Sequence, residues 1–220
     1  MSLSPESTDT INIMANDYSK LSKEELLKVV GKLESRKKYG LIWDEERTKE
    51  QFEKESENAL PVLKEVKSKK IKTDPSKPVN ILIEGDNYHA LSVLNYTHQG
   101  KIDVIYIDPP YNTGNKDFVY NDIYVDQQDT YRHSKWIAFM EKRLRLAKKL
   151  LSNEGSLFVS IDDNEYPRLI MLLEEIYGED NIKTICVKMS ESTGVKMASV
   201  IKNGRIPKLK EYLVIAKKVA

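Results

Sequence analysis

The sequence has few of the residues that define disulfide-rich, fibrous or membrane proteins. Its 220 residues include one cysteine, Cys186, so no internal disulfide can form and a small disulfide-stabilised secreted fold is excluded. Nine glycines and eight prolines are too few for a collagen-like or low-complexity chain. The sequence also lacks an 18-residue apolar run and a signal peptide. We therefore expect a soluble, cytoplasmic globular protein with no membrane partner.

Neither sign of charge dominates the composition. There are 35 lysines and arginines against 34 aspartates and glutamates, which gives a formal net charge of +1. The strong basic excess that is typical of many nucleic-acid-binding proteins is missing. A basic surface can coexist with an acidic one, so the net charge neither supports nor excludes DNA as a partner.

Periodicity and composition divide the chain into three parts. Residues 1–17 are polar and without a period, which predicts a disordered terminus. Residues 18–76 predict a helical N-terminal segment and a linker, which ends in a lysine-rich run closed by prolines. After that run the sequence pattern changes to short apolar stretches, and we expect the main domain to span 77–220.

The N-terminal segment shows a helical period. Leucines and valines recur at helical spacing over about 18–38, and Ser22 followed by Glu25 predicts a capping box near the start of that helix. A polar stretch near 47–58 predicts a second, solvated helix.

In the main domain, apolar β-branched runs alternate with amphipathic helical periods. Strands are predicted at 79–83, 102–107, 156–161, 182–187 and 212–216, and helices near 87–94, 129–151 and 165–177. Gly155 is expected to end the second of these helices. The alternation predicts an α/β fold with a mostly parallel, doubly wound sheet.

Acidic residues follow the first two predicted strands. Asp86 comes after the first strand and Asp108 after the second, and the carboxyl ends of strands in open α/β sheets are where functional groups gather. Pro109 and Pro110 end the second strand and stiffen the turn, because each fixes φ and removes an N–H. Asp108 and Tyr111 are therefore held in a fixed relation on either side of the prolines.

That turn suits the activation of an exocyclic amine on a nucleobase. The amine of adenine is a poor nucleophile because its lone pair is delocalised into the ring. Asp108 and the carbonyl of Pro109 could each accept a hydrogen bond from it, and Tyr111 offers a ring face on which a flipped base can stack. The methyl donor need only be held in line, so catalysis would come mainly from positioning and electrostatics.

The Asp-Pro-Pro-Tyr string resembles the signature of amino methyltransferases that use S-adenosylmethionine and modify adenine N6 or cytosine N4. The chain also resembles the modification subunit of type III restriction-modification systems over much of its length after residue 38, within the segments 38–43, 80–91, 105–115, 133–144 and 155–165. This resemblance implies an incomplete S-adenosylmethionine-dependent methyltransferase fold, Rossmann-like with a mostly parallel sheet, preceded by the helical N-terminal segment.

The resemblance further implies adenine-N6 methylation of double-stranded DNA with base flipping, with S-adenosyl-L-methionine as cofactor and a restriction (helicase-nuclease) subunit as partner. It implies a catalytic role for Asp108, Pro109, Pro110 and Tyr111. Asp86 corresponds to an acidic residue that contacts the cofactor in related enzymes, and the same pocket would be lined by Asn87, Asp108, Thr113 and Gly114. For Asp86 a helix N-cap is an equally good interpretation.

No metal site is expected. The histidines His89, His98 and His133 lack metal-ligand spacing and neighbouring cysteines, so we interpret them as structural or surface residues.

Two features depart from the family pattern. The glycine-rich cofactor loop Phe-x-Gly-x-Gly is absent, since no two glycines are separated by a single residue. The chain also ends at Ala220, soon after a strand-like segment, so we expect the N-terminal part of a longer methyltransferase that is inactive alone. The strands that separate the ends at Asp86 and Asp108 in the family would then be missing. The open sheet edge left behind predicts self-association, as a homodimer or otherwise.

Two alternatives remain open on the sequence. The motif chemistry allows a cytosine-N4 or RNA amino methyltransferase, and only the wider resemblance to type III modification subunits opposes it. A protein of a different class, a catalytically silent module that binds DNA or a restriction subunit, is also compatible with the missing cofactor loop.

Overall fold

The computed structural model describes residues 22–34, 41, 43, 48, 50, 61–71, 74, 76–189, 202 and 209–219. The chain divides into two compact units, Met1–Gly40 and Leu41–Ala220. This division falls before the boundary predicted near residue 77, which stays a prediction. The predicted disordered terminus lies outside the described residues, as does most of the predicted helix near 47–58.

The secondary structure of the described residues follows the predicted alternation. The helices are α1 (Lys23–Glu34), α2 (Asn87–Thr97), α3 (Arg132–Leu150) and α4 (Tyr166–Tyr177). The strands are β1 (Ile102–Ile107), β2 (Val119–Tyr120), β3 (Ile123–Tyr124), β4 (Leu151–Ile161), β5 (Ile182–Lys188) and β6 (Lys210–Lys217).

In the first unit, α1 begins with the predicted capping box. The backbone N–H of Ser22 donates to a carboxylate oxygen of Glu25 over 2.8 Å, and the backbone N–H of Glu25 donates to the hydroxyl of Ser22 over 3.3 Å. Each side chain thus satisfies a backbone donor that the first helical turn leaves open. The prediction of this helix start is confirmed.

The second unit is built on a four-stranded sheet of order β1-β4-β6-β5, beside a small β2–β3 hairpin. Strand β1 pairs with β4 in parallel, and β6 pairs in antiparallel with both β4 and β5. Strands β1, β4 and β5 therefore run in one direction and only β6 is reversed. This mixed α/β sheet of mostly parallel direction confirms the predicted fold class.

The hydrophobic core covers one face of the sheet. Helices α3 and α4 pack there against buried side chains of β4 and β6, which include Leu157, Val159, Ile161, Val214 and Ala216. On the other face, Val104 and Tyr106 of β1 are each 62% exposed. Among the described residues, β1 is also the last strand of the sheet on its side. None of the described helices is long and apolar enough to cross a membrane.

The strand predicted at 79–83 is wrong. No strand is present there, and Val79 and Leu82 are 84% and 95% exposed. An apolar β-branched run becomes a strand only where another strand supplies its hydrogen bonds and a surface to pack on. In the described part of the chain, this run has neither.

The predicted role of Gly155 is also wrong. Helix α3 ends at Leu150, and β4 begins at the next residue, so that Gly155 lies inside the strand. A Cβ atom at Gly155 would lie 2.8 Å from the carbonyl oxygen of Ile102. Glycine is required here because the backbones of β1 and β4 come close at an irregularity in their pairing.

Candidate active site

The turn after β1 places the Asp-Pro-Pro-Tyr segment at the carboxyl edge of the sheet. Asp108 directly follows β1 and is exposed, whereas Pro109 is buried. Because β1 and β4 are parallel, the segment after β4 lies at the same edge. The carboxylate of Asp108 therefore faces solvent at the edge where open α/β sheets bind their ligands.

The hydroxyl of Tyr111 is held by a carboxylate from β6. It donates a hydrogen bond to Oε2 of Glu211 over 3.2 Å. Partial burial and the carboxylates of Asp108 and Glu211 raise the pKa of the Tyr111 phenol above its ordinary value. Tyr111 therefore stays a neutral phenol, with its hydroxyl oriented by Glu211.

Trp136 on α3 binds the second proline of the turn. Its side chain is fully buried, and its indole N–H donates to the carbonyl oxygen of Pro110 over 2.7 Å. A buried indole N–H needs such a partner, and here the partner is the backbone of the turn. The acceptor carbonyl belongs to the residue after Pro109, and the carbonyl of Pro109 itself is the one predicted to accept a hydrogen bond from a target amine. The contact anchors the turn to the hydrophobic core.

A buried polar cluster binds the residue that follows Tyr111. The side-chain amide of Asn112 donates to Oε1 of Glu165 and, over 3.3 Å, to the carbonyl oxygen of Arg132. The same Oε1 lies 2.6 Å from Nδ1 of His133. Asn112 and Glu165 are both fully buried. We call Asn112, His133 and Glu165 the anchor cluster.

Burial shifts both titratable groups of the anchor cluster. It raises the pKa of Glu165 to about 7, although the amide of Asn112 and the guanidinium of Arg168 act in the opposite direction. It lowers the pKa of His133 to about 4, and the positive charges of Arg168 and Arg132 act in the same direction. The imidazole is therefore neutral at physiological pH, while the carboxyl group titrates within the physiological range.

Asp86 forms the N-cap of α2. Its Oδ1 accepts backbone hydrogen bonds from Tyr88 over 2.8 Å and from His89 over 3.4 Å. Its Oδ2 lies 3.3 Å from the guanidinium of Arg143. Asn87 is the first residue of the helix. The structure thus supports the N-cap interpretation of Asp86, and the cofactor-binding roles of Asp86 and Asn87 stay predictions.

Thr113 and Gly114 belong to a tight turn. The backbone N–H of Thr113 donates to the carboxylate of Asp117 over 2.9 Å. Gly114 has φ +81°, and a Cβ atom there would lie 2.6 Å from Cβ of Gln127. Glycine is therefore required by the left-handed backbone and by the approach of Gln127. Contact of Thr113 and Gly114 with a cofactor stays a prediction.

Helix α3 connects the predicted catalytic residues with Asp86, one of the predicted cofactor-binding residues. Trp136 binds the Asp-Pro-Pro-Tyr turn, and Arg143 binds the carboxylate of Asp86. The two residues are seven positions apart, which places them on one face of the helix and about 10 Å apart along its axis. The guanidinium of Arg143 also binds the buried carboxylate of Glu50 over 2.9 Å and lies over the ring of Phe139.

Sequence reasoning missed several residues that organise this site. Glu211, Trp136, Asn112 and Glu165 were not singled out, and His133 was interpreted as structural or surface. A signal was present for two of them, since Asn112 directly follows the motif and Glu165 begins the predicted helix that comes just after the third predicted strand. For Glu211 and Trp136 the sequence offered none. Among the described residues, no three histidine, cysteine, aspartate or glutamate side chains are grouped to hold a metal ion.

Residues 102–219 match the model of the DNA methylase family N6_N4_Mtase. These residues include the Asp-Pro-Pro-Tyr turn, the anchor cluster and all four strands of the main sheet. Since the match covers more than half of the chain, the protein belongs to this DNA methylase family.

Individual relatives refine the comparison. The chain is 40% identical over 127 residues to the probable type III restriction-modification enzyme HindVI Mod subunit of Haemophilus influenzae, covering 58% of this chain and 16% of the relative. It is 41% identical over 126 residues to the type III StyLTI Mod subunit of Salmonella typhimurium, covering 48% and 19%. It is 42% identical over 98 residues to the type II methyltransferase M.KpnI of Klebsiella pneumoniae, covering 44% and 24%. The chain thus spans less than one fifth of the two Mod subunits.

Proposed function

We propose that the chain provides the amine-activating part of a DNA adenine-N6 methyltransferase of a type III restriction-modification system. The observation that carries the proposal is the geometry of the Asp-Pro-Pro-Tyr turn, in which the exposed carboxylate of Asp108 lies near the neutral phenol of Tyr111. The similarity to Mod subunits supports the type III assignment. This part would act as the N-terminal portion of a longer enzyme.

In this function, Asp108 accepts a hydrogen bond from the exocyclic amine of the target base. The carbonyl of Pro109 accepts a second one, and together they draw the nitrogen toward the pyramidal geometry of a nucleophile. Tyr111 stacks on the flipped base and limits its rotation. The rate enhancement comes from acceptors that are already in place and need no reorganisation when the methyl group is transferred.

S-adenosyl-L-methionine is the proposed methyl donor, as expected of a DNA methylase. The residues predicted to hold it do not form a cradle by themselves. The carboxylate of Asp86 is engaged by the start of α2 and by Arg143, and Gln127 occupies the space at Gly114. The described residues therefore do not fit the donor alone, and we assign its binding to parts of a longer enzyme.

The proposed partners are double-stranded DNA and a restriction (helicase-nuclease) subunit, in the cytoplasm. Two relatives are Mod subunits of type III restriction-modification enzymes. Self-association is proposed from the open edge of β1 and from the exposed side chains of Val104 and Tyr106.

The substrate base is tested by product analysis. A longer enzyme that contains this sequence is incubated with duplex DNA and methyl-labelled S-adenosylmethionine, and the digested nucleosides are separated. We expect labelled N6-methyladenine. Labelled N4-methylcytosine would replace the adenine assignment with the cytosine alternative, and label found only with RNA would favour an RNA amino methyltransferase. No label in any base, with DNA binding retained, would favour the silent interaction module.

A further inference from the structure

Glu165 occupies the N-cap position of α4 but makes no side-chain capping hydrogen bond to it. A short polar side chain at this position, such as that of Asp or Ser, normally accepts from the backbone N–H groups of the first turn. Here the side chain is instead fully buried and bound to Asn112, 53 residues away. The carboxyl group thus binds the catalytic turn in place of its own helix.

Asn112 has a backbone conformation that needs support. Its φ is +55°, in the left-handed region that non-glycine residues seldom adopt and that asparagine tolerates better than most. The residue directly follows Tyr111, so its conformation sets the direction in which the chain leaves the motif. The hydrogen bond to Glu165 and the one to the Arg132 carbonyl hold the side chain in place.

The tautomer of His133 follows from its two neighbours. Nε of Arg132 donates to Nε2 of the imidazole over 3.1 Å, so Nε2 carries the lone pair and Nδ1 carries the proton. Nδ1–H therefore donates to Oε1 of Glu165 over 2.6 Å. That oxygen accepts from both Asn112 and His133 and joins the loop after Tyr111 to the first turn of α3.

Other charged groups also face the carboxyl group of Glu165. Nη1 of Arg168 on α4 lies 3.5 Å from Oε2, and Arg132 on α3 adds a second positive charge. Asp162, at the end of β4, adds a negative charge. Burial outweighs these charges and raises the pKa of the carboxyl group to about 7, so about half of it is ionised at pH 7.

We propose that Glu165 is a positioning residue for the methyl-transfer site, because it binds Asn112 and His133 and so fixes the turn that carries Asp108 and Tyr111. This inference rests on the proposed function, which assigns methyl transfer to that turn. Glu165 touches neither Asp108 nor Tyr111 in this network and acts on them through the backbone.

The turn has a reporter in the indole N–H of Trp136, which binds the carbonyl of Pro110. In the isotope-labelled chain its NMR signal is distinguished from that of Trp43 by a Trp43→Phe variant. In Glu165→Ala we expect the signal to shift and its hydrogen exchange to accelerate about tenfold or more, because loss of the buried hydrogen bonds from Asn112 and His133 favours local opening. Glu165→Gln keeps an acceptor for Asn112 and should restore most of the protection.

Leu172→Ala is the matched control. It removes a fully buried side chain from the same helix and lowers global stability without removing a group of the anchor cluster. The Trp136 signal should keep its position in this variant. In the wild type the signal should also move with pH around a midpoint near 7, and Glu165→Gln should abolish that movement.

The second arm of the test measures the kinetics of methyl transfer by an active methyltransferase that contains this sequence. We expect Glu165→Ala to lower kcat by about tenfold to a hundredfold with little change in KM, since misplacing the acceptors weakens chemistry more than binding. Glu165→Gln should recover part of the loss.

The proposal is overturned if Glu165→Ala leaves the Trp136 signal as in the wild type, or changes it no more than Leu172→Ala does. It is also overturned if the turn moves but kcat does not fall. Failure of the proposed function gives a different pattern, in which the wild-type enzyme transfers no methyl group while the NMR differences persist. That pattern would support the anchoring of the turn and overturn its catalytic purpose.

Discussion

The indole nitrogen of Trp136 lies 2.7 Å from the carbonyl oxygen of Pro110, and this hydrogen bond ties the candidate catalytic turn to the core. Trp136 is fully buried on α3, so its own position is set by packing. The anchor cluster holds the same turn from the side of α4. Asp108 is exposed, but the backbone that carries it is held from both sides.

Replacement of Asp108 should abolish methyl transfer while leaving the fold intact. In an active enzyme that contains this sequence, Asp108→Ala removes the acceptor for the target amine, and loss of one such contact typically costs about a hundredfold or more in rate. Asp108 is exposed, so unfolding by denaturant should change little. Asp103→Ala, which removes an exposed carboxylate within β1, is the control. Activity of Asp108→Ala within about threefold of the wild type would contradict the assigned role.

Tyr111 should act mainly through its ring. Tyr111→Ala is expected to weaken stacking of the flipped base by roughly 1–3 kcal/mol, whereas Tyr111→Phe keeps the ring and most of that contribution. Fluorescence of 2-aminopurine at the target position reports whether the base is stacked. Tyr124→Ala removes an exposed tyrosine of β3 and serves as the control. Equal impairment in the Phe and Ala variants would show that the hydroxyl bound to Glu211 matters instead.

The 220-residue chain alone should bind S-adenosylmethionine weakly. The Gly-x-Gly spacing that lets a backbone approach the cofactor is absent from the sequence, and Asp86 is engaged as a helix cap. Calorimetric titration should give a Kd weaker than about 1 mM. Micromolar binding would mean that this sequence holds the cofactor in another way, or that two chains build the pocket together.

The pH dependence of stability should reveal the paired titration of Glu165 and His133. The pKa of Glu165 is raised to about 7, so its contribution to stability decreases as pH rises from about 4.5 to 7. The pKa of His133 is lowered to about 4, so its contribution increases as pH rises from about 4 to 6.5. The two slopes oppose each other, and the pair should have little net effect between about pH 4.5 and 6.5.

Single variants separate the two slopes. In His133→Gln only the Glu165 slope remains, so denaturant unfolding should show stability that decreases between about pH 4.5 and 7. In Glu165→Gln only the His133 slope remains, so stability should increase between about pH 4 and 6.5. Identical pH profiles in all three proteins would show that neither group has a shifted pKa.

Self-association should proceed through the open edge of β1. Sedimentation velocity of the purified chain is expected to show dimers or larger species, and Val104→Lys should reduce them because a charge on an edge strand opposes pairing. Val119→Lys places the same charge on the small hairpin and should have no effect. A monomer at every concentration, or equal effects of the two variants, would contradict this prediction.

The local elements of the fold were predictable because their causes lie within a few residues. Strand β1 has the bounds expected of a β-branched run closed by two prolines, and α1 begins at the Ser22–Glu25 capping box. The strand expected at 79–83 did not form, because strand formation depends on a partner that no local pattern supplies. Gly155 was misinterpreted because its cause, the close carbonyl of Ile102, belongs to another strand.

By itself the sequence determined the reactive segment of the candidate site, since Asp108 and Tyr111 are contiguous with the prolines that stiffen the turn. Only the tertiary structure decided what anchors that segment: Glu211 lies 100 residues from Tyr111, and Glu165 lies 53 from Asn112. Contacts at such separations exist only after the sheet has formed and α3 and α4 have packed on it. Burial then shifts the pKa of Glu165 and His133, because desolvation depends on the surrounding atoms and not on sequence neighbours.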